Sequence, residues 1–86
     1  MHEEEIRKHL STKKLLIGRD ETLKNIRKGL VSKVYLASNA PLDLVKDLSR
    51  YARLSGFDIF ETGIRNDELG AVCKKPFHIA VLGVLK

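Results

Sequence analysis

Three short segments of the chain place groups with recognition chemistry side by side. The first, Gly18-Arg19-Asp20-Glu21-Thr22-Leu23-Lys24, passes from an apolar run into a stretch with helical spacing. A helix N-terminus there offers free N–H groups to phosphate or carbonyl oxygens, and Arg19, Lys24, Arg27 and Lys28 add positive charge. The second, Ser38-Asn39-Ala40-Pro41, carries an amide that can both donate to and accept from a base edge. The third, Lys74-Lys75-Pro76-Phe77-His78, sets two cations beside an aromatic ring, which suits an unstacked base. Arg65 is placed to add a phosphate contact. Each group also has a plainer account: Asp20 as a helix N-cap, Asn39 as a turn residue, the lysines as a solvated face, and Phe77 as a core side chain.

Catalytic and metal chemistry find little support. His2 and His9 sit near the N-terminus with no cysteine close by to share a metal, and solvation is the expected state of both. No segment resembles a nucleophile elbow, a Gly-rich phosphate loop or a zinc spacing. Glu3-Glu4-Glu5 is a carboxylate cluster at a helix start, where the helix dipole accounts for it. The expectation is a protein without metal, cofactor or enzymatic activity.

Positioning these segments requires a fold, and composition bounds it. The 86 residues make one domain, 1–86, and 43% are hydrophobic, enough for a packed core. A chain this short buries roughly 60–65% of the surface it exposes when unfolded. Sixteen Lys and Arg against eleven Asp and Glu give a net charge of +5, which favours a polyanionic partner. Cys73 is the single cysteine, so no intrachain disulfide forms, which suits a reducing cytoplasm. The N-terminus lacks the pattern of a signal peptide. No run approaches the roughly 20 apolar residues that cross a membrane, so no membrane partner is expected.

Periodicity predicts alternating helices and strands. Glu3 to Leu10 reads as a helix, Leu15-Leu16-Ile17 as a strand stopped by Gly18, and Glu21 to Lys28 as a helix capped by Asp20. Leu23, Ile26 and Leu30 supply the inner face of that helix, with Gly29 its stop. Val34 to Ala37 is a strand, and Leu44, Val45, Leu48, Tyr51 and Ala52 line a helix ended by Gly56. Ile59-Phe60 is a strand, and a short helix opens at Asn66 or Asp67 and runs through Val72. Phe77 to Val84, apolar on both alternating faces, reads as a final strand inside a layered sheet. The whole argues an α/β fold: a three-layer α-β-α sandwich around a four-stranded mixed sheet.

Four strings carry a resemblance over about residues 13–84. They are Ala37-Ser38-Asn39-Ala40-Pro41, then Asp47-Leu48 through Tyr51-Ala52-Arg53-Leu54-Ser55-Gly56, then Glu68-Leu69-Gly70, and Lys75-Pro76-Phe77. The chain resembles the kink-turn RNA-binding superfamily that includes ribosomal protein L-seven-Ae, and within it the L-thirty-e branch of the large ribosomal subunit. The resemblance implies a cytoplasmic, ribosome-bound protein that is a monomer when free. Its partners would be ribosomal RNA bent beside tandem G·A pairs, and neighbouring ribosomal proteins.

By the same resemblance Gly18 lets the backbone approach RNA closely. Asp20, Glu21 and Lys24 face the G·A pairs and adjoining phosphates, and Asn39 faces a guanine edge. Arg65, Phe77 and His78 pack on extruded bases and nearby backbone. Two positions depart from the common pattern. Asp20 stands where the superfamily often has Asn, and a carboxylate cannot donate to guanine O6. His78 stands where arginine is common. A general kink-turn protein of a guide-RNA or processing complex is the nearest alternative, and Asp20 counts against it. A protein-interaction module on the same fold is the other, opposed by the lysines and Phe77.

Overall fold

A computed structural model describes residues 3–12 and 14–86; His2 lies outside the described residues. Its elements are α1 (Glu3–Ser11), β1 (Leu15–Ile17), α2 (Arg19–Arg27), β2 (Val31–Leu36), α3 (Leu42–Ser55), β3 (Asp58–Glu61), α4 (Asn66–Val72) and β4 (Val81–Leu85). The four strands form one mixed sheet in the order β1-β4-β2-β3. β4 runs antiparallel to both β1 and β2, whereas β2 and β3 are parallel.

Alternation along β2 sends neighbouring side chains to opposite faces of the sheet. Tyr35 joins Ile6 of α1, Leu69 and Val72 of α4 and the following Cys73 in one core layer. Val34 and Leu36 join Ile26 of α2 and Leu44 and Leu48 of α3 in the other. Both faces of the sheet are therefore covered, as the apolar strands predict. The three-layer α-β-α architecture and its mixed four-stranded sheet stand as expected.

Several local expectations change. Asp20 is not the N-cap of α2: the helix starts at Arg19 and Gly18 occupies the cap position. Gly18 holds φ +95°, a conformation that side chains with a Cβ rarely adopt, and this lets the chain turn from β1 directly into the helix. Leu30 does not line the inner face of α2. It follows the left-handed Gly29 and remains 45% exposed, while Thr22 and Ile26 provide the buried face.

The apolar run from Phe77 to Ala80 is not strand; β4 begins at Val81. Those four residues form a loop folded against α4, and Gly70 is what lets it lie there. A Cβ at Gly70 would collide with the Phe77 carbonyl group, its carbon only 3.2 Å away. A second close approach seats α2 on the sheet. A Cβ at Gly83 of β4 would stand 3.0 Å from the methyl group of Thr22.

Candidate nucleic-acid interface

Strand directions gather four chain segments at one end of the sandwich. The ends of β1 and β2 and the start of β4 lie side by side, with Ile17 opposite Leu82 and Leu36 opposite Val81. β3 ends there too, with Glu61 beside Leu36. Backbone hydrogen bonds then lace the loops. Gly18 N–H donates to Val81 O (3.1 Å), Ala37 N–H to Ala80 O (2.9 Å), Ser38 N–H to Ile64 O (2.8 Å) and Ile79 N–H to Asn66 O (3.0 Å). Buried Thr62 adds a further tie, its hydroxyl donating to Leu36 O and accepting from Ile64 N–H.

α2, α3 and α4 all begin at this end, so their positive dipole ends converge. Neither Gly18 before α2 nor Pro41 before α3 supplies a side-chain cap, which leaves first-turn N–H groups open to an anion. Asp20 and Glu21 are exposed on the first turn of α2, and Lys24 one turn later. Arg19, half-exposed, reaches across to α3, its guanidinium nitrogens 3.6 Å from Asp43 and 3.6 Å from Asp47. That pair holds the two helix starts together and occupies a group assigned from sequence to RNA.

Asn39 does more than shape a turn. Its Oδ1 accepts from the Asn66 N–H at 2.9 Å, and its Nδ2 donates to Asn66 Oδ1 at 3.1 Å. The side chain thus caps α4 from a loop far away in sequence, with one amide hydrogen still free to meet a base. Arg65 precedes α4 on an exposed loop, 3.7 Å from Asp67.

Phe77 is 52% exposed and His78 is exposed beside it. The structure therefore puts the Phe77 ring outside both core layers. Lys75 lies on the same loop, its backbone N–H bonded to Gly70 O at 2.9 Å. Burial raises the Cys73 thiol pKa, against the opposing pull of Lys75.

Gly18, Arg19, Asp20, Glu21, Lys24, Asn39 and Arg65 belong to this end, and the loop of Lys75, Phe77 and His78 leads into it. Lys28 does not. It caps the opposite end of α2, about 13 Å along the axis from Arg19, because each helical residue advances the chain by about 1.5 Å.

Reasoning from sequence missed Thr62 and Asn66, whose partners lie 26 and 27 residues away. It also missed a cavity of about 200 Å³ between the Ser38-Ala40 turn, Val45, Glu61 and Gly63. Among the described residues no cluster of His, Cys, Asp or Glu is arranged to hold a metal. No helix among them is long and apolar enough to cross a membrane.

The model of the ribosomal protein L7Ae/L30e/S12e/Gadd45 family matches residues 2–86. The chain belongs to that family. Within the L7Ae/L30e/S12e/Gadd45 family it is similar to large ribosomal subunit protein eL30 of Methanocaldococcus jannaschii. The two are 42% identical over 80 residues, covering 93% of this chain and 73% of the relative. The eL30 of Pyrobaculum neutrophilum is 40% identical over 81 residues, covering 94% and 80%. Among solved structures, the Giardia lamblia 15.5kD RNA binding protein superposes with a TM-score of 0.80 at 23% identity, covering 94% of this chain and 68% of that one. A Bacillus halodurans protein of unknown function gives 0.84, also at 23% identity, over 94% and 80%. These two likenesses establish the family fold.

Proposed function

We propose that this protein is a structural RNA-binding component of the large ribosomal subunit, and that its loop end grips a kink-turn in ribosomal RNA. The observation that carries the reading is the eL30 likeness over nearly the whole chain, together with the convergence of the family's recognition segments at one end. Its place is the ribosome and its role is recognition rather than catalysis.

The chemistry fits a bent RNA better than a straight one. Open N–H groups at the starts of α2 and α3 can donate to phosphate oxygens, and Gly18 offers bare backbone to a close-packed RNA strand. Asp20 and Glu21 can accept from guanine N1 and N2, an arrangement that sheared G·A pairs expose and regular duplex hides. The exposed Phe77 ring can stack on an extruded base, and Asn39 can use its free amide hydrogen on a base edge.

The test is a titration with a kink-turn RNA, the same RNA with its G·A pairs replaced by Watson–Crick pairs, and a plain duplex of equal length. The kink-turn should bind at least about a hundredfold tighter than either control, a gap of about 2.7 kcal/mol. Equal affinity for all three RNAs defeats the kink-turn reading.

A further inference from the structure

The loop end does not hold the positive charge that marks this chain. Asp20, Glu21, Asp43, Asp47, Glu61 and Asp67 cluster there, and Arg19 and Arg65 are already set against carboxylates. The surplus lies at the other pole. Leu85 N–H donates to Lys14 O and Lys86 N–H to Leu30 O, so Lys14, Lys86 and the Lys28-Gly29-Leu30 corner share one edge of the sheet. α2 brings Arg27 to this edge with its last turn, and α3 brings Arg53 with its last turn. On the neighbouring face Lys33 pairs in register with Asp58.

Asp58 opens β3 at this pole, and none of Lys14, Arg27, Lys28, Arg53 or Lys86 is in an ion pair among the described residues. Basic side chains at helix C-termini complement the dipole, which accounts for Arg27 and Arg53. It does not account for Lys14 and Lys86, which stand on strand ends. Burial, with Lys33 and then Lys8 and Lys14, holds the pKa of nearby His9 below its ordinary range, against the pull of Glu5.

We propose that this pole is a second RNA-binding surface, which grips the phosphate backbone of an RNA segment other than the one held at the loop end. The proposal rests on the reading of the loop end as an RNA site. α3 alone, with 14 residues, separates the poles by about 21 Å. That exceeds the Debye length of about 8 Å at physiological ionic strength, so the two surfaces act independently. Strand spacing of about 4.8 Å sets Lys14 and Lys86 side by side, and Lys28 follows at the corner that Lys86 bonds through Leu30 O, a group able to follow a phosphate backbone without reading its sequence. The protein would clamp two RNA segments, one by shape and one by charge.

The test saturates the full chain with unlabelled kink-turn RNA and then titrates a labelled plain RNA duplex, followed by anisotropy across a salt series. The comparison is a quadruple variant, Lys14→Gln, Lys28→Gln, Arg53→Gln and Lys86→Gln. Wild-type protein already carrying the kink-turn should bind the duplex. The variant should keep its melting temperature and its kink-turn affinity, lose the duplex roughly tenfold or more, and show a shallower salt slope by up to about four. If the loaded wild type ignores the duplex, the pole is free or meets protein, and the proposal falls. It also falls if the variant binds the duplex as the wild type does. Should the protein bind no kink-turn at all, the loop-end reading fails separately, and the same pair of proteins titrated without kink-turn RNA still judges the pole.

Discussion

Asn39→Ala separates architecture from recognition at one residue. The substitution removes the acceptor of the Asn66 N–H at 2.9 Å and the donor to Asn66 Oδ1 at 3.1 Å. A net hydrogen bond contributes about 0.5–1.5 kcal/mol, and an N-cap of this kind about 0.5–2 kcal/mol. Both partners are exposed and water can replace part of what is lost, so the expected cost is about 1–2 kcal/mol. For a domain of this size that lowers Tm by roughly 5–15 °C.

Asn39→Asp is the informative companion. Its carboxylate still accepts from Asn66 N–H, and its charge suits the positive start of α4. The Asn66 amide can turn over to donate in its place. The variant should melt within a few degrees of wild type, yet bind RNA at least about tenfold more weakly, because a negative charge now meets phosphate. Thermal melts by circular dichroism and titration of a kink-turn RNA read the two effects. An Asn39→Ala variant that melts with the wild type refutes the clamp. An Asn39→Asp variant that binds RNA normally refutes the placement of Asn39 at the interface.

Phe77→Ala should cost less than about 1 kcal/mol of stability, because the half-exposed ring lies outside both core layers, whereas a fully buried Phe would cost about 3–5 kcal/mol. It should weaken kink-turn binding by about 1–3 kcal/mol, measured by paired melt and titration. Thr22→Val should stabilise the fold by about 1 kcal/mol in a chemical melt without altering RNA affinity, because the buried Thr22 hydroxyl has no hydrogen-bond partner among the described residues. Tyr35 donates to Glu5 at 2.8 Å, and burial followed by that carboxylate raises its pKa above the usual tyrosine value. Its stabilising contribution is full below pH 10 and is lost as pH rises through the elevated folded value. Wild-type Tm should therefore fall more steeply than that of Tyr35→Phe above pH 10.

Elements whose spacing repeats were legible in the sequence. The helical recurrence of Leu44, Leu48 and Ala52 announces α3, and Gly56 in the left-handed conformation ends it where expected. The run from Phe77 to Ala80 misled because apolar character reports burial rather than ladder pairing. Ile79 is buried in the core, yet its N–H donates to the carbonyl of Asn66, the first residue of α4, instead of to a strand. Asp20 looked like a cap because its residue type suits one, while Gly18 could take the position through a backbone conformation that its neighbours cannot adopt.

The candidate site could be read from sequence as segments but not as an arrangement. Lys24 and Lys28 are neighbours in sequence, yet each helical turn carries the charge further from the loop end. The Asn39–Asn66 clamp spans 27 residues and leaves no local trace. Net charge favours a polyanionic partner, but it could not say that most of the excess sits at the pole away from the loops.

The position of β4 governs when the molecule can assemble. β1 and β2 are not partners of each other; each pairs with β4, the last of the four in sequence. A chain growing from its N-terminus can therefore join β2 to β3 but cannot place β1 until Val81 to Leu85 has been synthesised. Gly18 waits for the same event, since its N–H is held by Val81 O. Such long-range closure slows folding and leaves strand edges open meanwhile. The loop end is thus completed only when synthesis reaches β4, so a nascent chain stalled short of that strand would leave its loops unassembled.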